Sequence, residues 1–339
     1  MAGAAHGGAE AFFDRLVGAL AGAGITQHVL TRAHPARLAS LRAAGLDPVA
    51  LRFGGPFDWS TGRRFGAEIE RFGPDVVLTW MSRATAFCPR PSRATKGFVH
   101  VGRLGGYYDA KYYRACDHLI ANTADIRAWL IGQGFAAERV HYLPNFVAAV
   151  PAPPVDRAAF GTPADAPLVL GLGRLHPNKA FDVLIDAVAR LPDTWLWIAG
   201  EGDERRMLES RAAERGVAAR VRFLGWRDDV PALLATASVL ACASRHEPLG
   251  NVVIEAWAHR TPVVAAASQG PRGLIRDGAD GLLAPVDDAA GLAVALQRVI
   301  EDRELGIALT RAGRARFEAE YTESAVVRRY LALFNQVCA

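Results

Sequence analysis

Ser244-Arg-His-Glu-Pro-Leu-Gly-Asn-Val-Val-Ile-Glu-Ala-Trp-Ala258 lies between two apolar runs, Ser238-Val-Leu-Ala-Cys-Ala243 and Thr261-Pro-Val-Val-Ala-Ala266. Each run has the length and continuous apolarity of a strand buried on both faces, as in a parallel sheet. The stretch between them reads as a loop and a short helix, with Asn251 as the N-cap and Val252 to Ala258 in the helix. Glu247 then sits on a loop at the carboxyl end of a strand, and Glu255 just over one turn into the helix. Strand-end loops and helix N-termini are where open α/β sheets hold nucleotides and phosphates. The same two acids equally fit a surface loop and a first turn that complements the helix dipole.

Working outward, the second half alternates strand and helix. Leu168-Val-Leu-Gly-Leu172 leads into Gly171-Leu-Gly-Arg-Leu-His-Pro-Asn-Lys179 and a helix from Asp182 to Leu191. Trp195–Ala199 and Val221–Leu224 read as further strands, and 288–300, 303–318 and 322–337 as helices. The first half repeats the pattern. Strands are expected at 26–31, 49–53, 75–80, 98–101, 117–122 and 140–144, with helices between them. Alternating strands and helices call for parallel sheets covered by helices on both faces. Ala148 to Pro167 holds five prolines and little periodicity, and reads as an interdomain linker.

At 339 residues the chain exceeds one ordinary core, so two domains are expected. No apolar run reaches the roughly 20 residues needed to cross a bilayer. The start lacks the basic and apolar regions of a signal peptide. Four scattered cysteines without a CxxC pair read as reduced thiols in a cytoplasmic protein and give no zinc site. Residues 1–150 hold 17 Lys+Arg against 11 Asp+Glu, a net +6, and the remainder 22 against 24, a net −2. The basic half fits an anionic acceptor or a membrane face, and equally a solvated arginine-rich surface. No aromatic-interleaved basic stripe points to nucleic acid.

Several residues carry candidate chemistry. The glycines of 171–179 let backbone amides approach a ligand, and Arg174 and Lys179 place positive charge beside a helix start. That suits a pyrophosphate leaving group, and also a plain turn with exposed cations. The position of a third dinucleotide-binding glycine is His176, which disfavours hydride transfer. Gly7-Gly8 opens the first helix and is a second glycine loop. His100 is read as ending a strand, and Asn122 and Asn145 as strand-end residues. No metal-ligand spacing and no Ser/His/Asp order stands out. A glycine loop of this kind normally follows a strand, yet only six residues precede Gly7. The first strand is therefore expected to be missing, with an internal methionine recorded as the start.

These motifs resemble the retaining glycosyltransferases of family 4. The sharpest part is EPLGNVVIEAW (Glu247–Trp257), followed by TPVVAA and DGADGLLAPVDD. GGAE (Gly7–Glu10), NTADIRAWL, LPNFV and GLGRLHPNKAFDVLIDAV support it. The resemblance implies a GT-B fold: two Rossmann-like domains facing across a nucleotide-sugar cleft. It divides the chain into an acceptor-side domain (1–147), a linker (148–167), a nucleotide-sugar domain (168–320) and a helix crossing back (321–339). It makes Glu247 the residue that contacts the donor sugar, and His100 a second contact to that sugar. Leu249, Gly250, Asn251 and Val252 would hold sugar or phosphate through their amides. Glu255 would bind the ribose, Arg174 and Lys179 the diphosphate, and Gly8 would face it from the other domain. The base would lie near 221–225.

The implied reaction is metal-independent sugar transfer with retention, from a nucleotide-sugar to a glycan or lipid-linked acceptor. No cofactor is implied. Wording such as RLGGYYD and YLPNFV leans towards bacterial enzymes of lipopolysaccharide core or surface-polysaccharide assembly, with peripheral contact at the inner membrane face. Two departures stand out beside the missing strand. Arg260 replaces the glycine usual before TPVV, and Gly273 an acid usual in the next loop. A non-catalytic nucleotide-sugar-binding protein or an epimerase of the same build are the alternatives.

Overall fold

The computed structural model describes all residues except 5–6, 56–57 and 91–96. In chain order the first elements are α1 (Gly8–Gly22), β1 (Leu30–Thr31), α2 (Pro35–Ala43), β2 (Val49–Ala50), α3 (Trp59–Phe72), β3 (Val76–Trp80), α4 (Met81–Phe87), β4 (Val99–Leu104), β5 (His118–Ala121), α5 (Ala124–Gly132) and β6 (Val140–Tyr142). Then follow β7 (Leu168–Leu172), α6 (Phe181–Val188), β8 (Trp195–Ala199), α7 (Arg205–Glu214), β9 (Val221–Gly225), α8 (Val230–Thr236), β10 (Val239–Cys242), α9 (Asn251–Ala258), β11 (Val263–Ala266), α10 (Gln269–Leu274), β12 (Leu282–Ala284), α11 (Ala289–Glu301), α12 (Arg303–Glu320) and α13 (Glu323–Cys338). The chain forms two compact units, one of Met1–Phe146 with Glu323–Ala339 and one of Val147–Thr322.

The second unit holds a six-stranded parallel sheet in the order β12-β11-β10-β7-β8-β9. Val169, Leu196, Val239 and Val264 point to one face, under α6 and α11. Leu170, Trp197, Leu240 and Val263 point to the other, under α9. Both faces are buried, which is why the strands read as unbroken apolar runs. Strand order reverses between β7 and β10. In open parallel sheets that switch point opens a crevice at the carboxyl ends of the strands, where ligands bind.

The proline-rich stretch expected as a linker is folded onto this unit. Arg157 donates to the carbonyls of Ala164, Ala166 and Thr236, and Thr162 accepts from the buried Trp197 indole. The indole is fully buried, and a buried N–H requires an acceptor, which this strap supplies.

The first unit holds a four-stranded parallel sheet, β3-β4-β5-β6, and a separate parallel pair, β1-β2. Among the described residues no strand lies between β1 and β3. A cavity of about 610 Å³ lies beside them, lined by Leu16, Val29, Val77, Leu78 and Phe334 among others. Met1 meets the end of β1: its amino group donates to the Leu30 carbonyl and its carbonyl accepts from Arg32 N–H. β1 and β2 are two residues each, shorter than the strands expected at 26–31 and 49–53, because among the described residues each pairs with no strand but the other. Helix α13 belongs to this unit and packs Val326, Tyr330 and Leu333 into the same core as Phe12, Leu16 and Trp80.

Candidate active site

The switch point is flanked by the loops after β7 and β10. The first turns back over itself. A Cβ on Gly200 would come 1.9 Å from the Gly173 carbonyl oxygen, so β8's end and β7's loop approach as only glycine permits. A Cβ on Gly173, which has φ 142°, would lie 3.1 Å from the Lys179 side chain. The lysine stem is thereby laid along the glycine, and a single 3-10 turn, Pro177–Lys179, sets its direction.

That direction leads to Glu247. The Lys179 ammonium is ion-paired with the Glu247 carboxylate, whose side chain is 12% exposed. Gly250 N–H donates to Glu247 Oε1 at 3.3 Å and Ser244 Oγ to Oε2 at 3.5 Å. The two loops are also joined through their backbones, His246 N–H donating to the Asn178 carbonyl. Arg245 reinforces this. It donates to both carboxylate oxygens of Asp182 at 3.0 and 2.6 Å, and to Asp287 and the Pro177 carbonyl. Burial pushes the Asp182 carboxyl up, but the hydrogen bonds and charge of Arg245, with the Val183 N–H and the charge of Arg211, together hold it below its ordinary range. On the other side Gly270 N–H donates to the Glu247 carbonyl at 2.7 Å, and a Cβ there would strike that oxygen at 2.6 Å.

Helix α9 begins one residue earlier than expected. Asn251 is its first residue and Gly250, at φ 74°, is the N-cap, without a side-chain hydrogen bond to the first turn. The left-handed cap suits glycine and not asparagine's expected capping geometry. No residue at the N-cap position covers the helix start with a side chain, and the positive end of a helix attracts anions. Leu249, Asn251 and Val252 are half-buried around it and Glu255 lies half-buried further along α9. Arg174 is exposed on the loop after β7. Gly273 has open space where a side chain would stand.

In the first unit Gly8 is the exposed first residue of α1, behind Gly7 as N-cap. His100 does not end its strand. It is the second residue of β4, which runs on to Leu104, because the apolar pattern continues through Gly102 around a buried arginine. The imidazole is 4% exposed. Its Nε2 lies 2.9 Å from Thr79 Oγ1 and 3.8 Å from Cys116 Sγ. Burial lowers its pKa to about 4, against a smaller upward pull from Asp117. This is an interior histidine, neutral at pH 7, and the structure gives it no place on the sheet's carboxyl edge.

A pH dependence follows from that burial. Unfolded, the ring takes a proton near 6.5; folded, only near 4. The unfolded state therefore binds more protons between these values, and stability falls as pH drops through the window. The contribution lost by pH 5 is about 2 kcal/mol. His100→Gln is expected to flatten the pH 7 to 5 slope of the urea unfolding free energy by that amount. An unchanged slope contradicts the buried neutral ring.

Sequence reasoning missed Arg103. It is 2% exposed in β4 and donates to Tyr330 OH at 3.0 Å and Asn145 Oδ1 at 2.6 Å, with its guanidinium 4.3 Å from the Trp80 ring centroid. The signal was there: a lone charge inside an apolar run, a residue type almost never buried without partners. Asn122, at the end of β5, keeps a buried Oδ1 with no partner among the described residues. Among the described residues no group of three or more His, Cys, Asp or Glu could hold a metal ion, and no helix is long and apolar enough to cross a membrane.

Comparison with known proteins gives this arrangement its context. The profile of the "Glycosyltransferase Family 4" matches residues 6–149 and that of "Glycosyl transferases group 1" residues 154–316. The chain is 37% identical to the lipopolysaccharide core biosynthesis glycosyltransferase LpsE of Rhizobium meliloti, over 96% of this chain and 95% of that protein. It is 36% identical to LpsD of the same organism, over 98% and 96%. Among solved structures, a glycosyltransferase from Rickettsia africae superposes with a TM-score of 0.87 at 16% identity, covering 99% of this chain and 97% of that one. Anabaena HepE, solved in complex with UDP, superposes at 0.86 with 21% identity, over 99% and 98%. At such identities these two speak for the fold.

Proposed function

Because the chain belongs to the glycosyltransferases of family 4, with the GT-B fold, we propose that the Lys179–Glu247 pair and the uncapped start of α9 form the donor site of a nucleotide-sugar-dependent transferase. The observation that carries this is their meeting at the switch point of the second unit's sheet, 68 residues apart in sequence. The diphosphate lies against the α9 N-terminus, with Lys179 and Arg174 offsetting its charge. Glu247 faces the reacting sugar, Leu249 to Val252 hold it through their amides, and Glu255 takes the ribose.

The transfer retains the anomeric configuration. The bond from the anomeric carbon to the phosphate oxygen breaks, the acceptor hydroxyl bonds on the same face, and the departing phosphate takes the hydroxyl proton. Lysine and arginine provide the leaving-group stabilisation that a metal ion supplies elsewhere. The acceptor is a lipopolysaccharide core or related glycan, free or lipid-linked. The support is whole-length likeness to LpsE and LpsD, two enzymes named for that assembly. A peripheral, cytoplasmic-side contact with the inner membrane fits the basic first half.

A thermal-shift panel of UDP, GDP, ADP and CMP with their common sugars tests the site. A ligand that binds only the native state raises the melting temperature by mass action. One nucleotide series is expected to do so, by an amount that grows with concentration. No shift with any of them rejects the donor site.

A further inference from the structure

At the opposite, amino-terminal edge of the second unit's sheet lies a second concavity. It has a volume of about 750 Å³, and Ser238, Pro262, the end of α11 and one face of α12 line it. Four arginines enter it: Arg260, Arg303, Arg311 and Arg314. The lone carboxylate in the lining, Glu318, is already engaged by Arg314 at 2.6 Å. Nearby Asp302 is turned to its own helix, accepting from Leu305 N–H. Arg260, Arg303 and Arg311 are exposed, and none of their side chains makes a hydrogen bond or ion pair among the described residues. The site therefore has a net positive charge, and among the described residues Arg260, Arg303 and Arg311 have no internal counter-ion.

Arg260 adds an independent observation. It occupies the turn between α9 and β11 at φ 59°, a left-handed conformation that glycine adopts freely and a long side chain adopts at a cost. Residues held in this way cluster at active sites and ligand clamps, and among the described residues Arg260 is one of six non-glycine residues with positive φ. Ile307, 58% exposed, and the half-buried Ile300 supply aliphatic surface beside the cations. Guanidinium groups offer paired donors that match phosphate oxygens.

We propose that this groove binds a phosphate ester with an adjoining apolar part, held by Arg260, Arg303 and Arg311 and remote from the donor-binding edge. Two sources share that chemistry, an anionic lipid headgroup and a soluble phosphate metabolite, and the probes separate them. Glycerol 3-phosphate is titrated by calorimetry, and vesicles with and without roughly one third phosphatidylglycerol are used for co-sedimentation. Wild type is compared with Arg260→Gly and with Arg311→Gln. Each variant is expected to weaken the response about tenfold, as for a lost charge-assisted bond. Arg260→Gly is expected to melt at the same temperature as wild type or higher, since glycine relieves the strained turn. A response to vesicles alone identifies a headgroup, and one to glycerol 3-phosphate identifies a soluble ester. No response to either probe, or a response kept in full by both variants, overturns the proposal. The result stands apart from the donor site, whose nucleotide shifts are expected to be equal in wild type and both variants.

Discussion

Glu247→Ala is expected to lower the rate of sugar transfer by roughly 10²–10³-fold, the usual cost of removing one preorganised group that stabilises transition-state charge. Glu247 is held on every side. Lys179 pairs with its carboxylate, Gly250 N–H and Ser244 Oγ donate to it, and Gly270 N–H pins its carbonyl. Such a carboxylate is oriented before substrate arrives, so little reorganisation is needed when charge develops at the sugar. Nucleotide binding is expected to change by less than about threefold, because the diphosphate contacts remain and Lys179 loses its internal competitor. Glu247→Gln separates charge from shape. It can still accept from Gly250, so a rate near that of alanine assigns the effect to the negative charge. Wild-type turnover in Glu247→Ala removes this residue from the reaction.

The parts of this molecule legible in its sequence are those set by local pattern. β7, β8, β10 and β11 are apolar runs because both faces of the sheet are covered, with Leu170, Leu196, Leu240 and Val264 fully buried. The loop positions of Lys179 and Glu247 followed from those strands. Their pairing did not, since nothing local in a chain records a contact 68 residues distant. His100 shows the opposite failure. It was read as ending its strand, but β4 continues past it as far as Leu104. The continuation depends on Arg103 being buried, which in turn depends on Tyr330 and Asn145. Tyr330 stands on a helix more than 200 residues away in sequence, so the strand's true end was beyond local reading. The short β1 and β2 were overread for a related reason: an apolar run becomes a strand only where neighbours pair with it.

Lys179→Ala is expected to raise the dissociation constant of the nucleoside diphosphate about tenfold or more, the equivalent of ~1.4 kcal/mol for one charge-assisted contact. The loss has two parts. The diphosphate forfeits a cation, and Glu247, 9% exposed, is left as an uncompensated carboxylate facing the same space. A negative ligand then meets a negative wall. The double variant Lys179→Ala/Glu247→Ala distinguishes these parts. If repulsion by Glu247 contributes, the double variant binds the nucleotide more tightly than Lys179→Ala alone, and the two substitutions are not additive. If the lysine acts only as a phosphate donor, the double variant binds as weakly as the single one. Raising the salt concentration narrows the difference between wild type and Lys179→Ala in either case, because part of the effect is coulombic and the lysine is 25% exposed. An unchanged dissociation constant in Lys179→Ala places the diphosphate elsewhere, and the Lys179–Glu247 pair then serves to join the loops after β7 and β10.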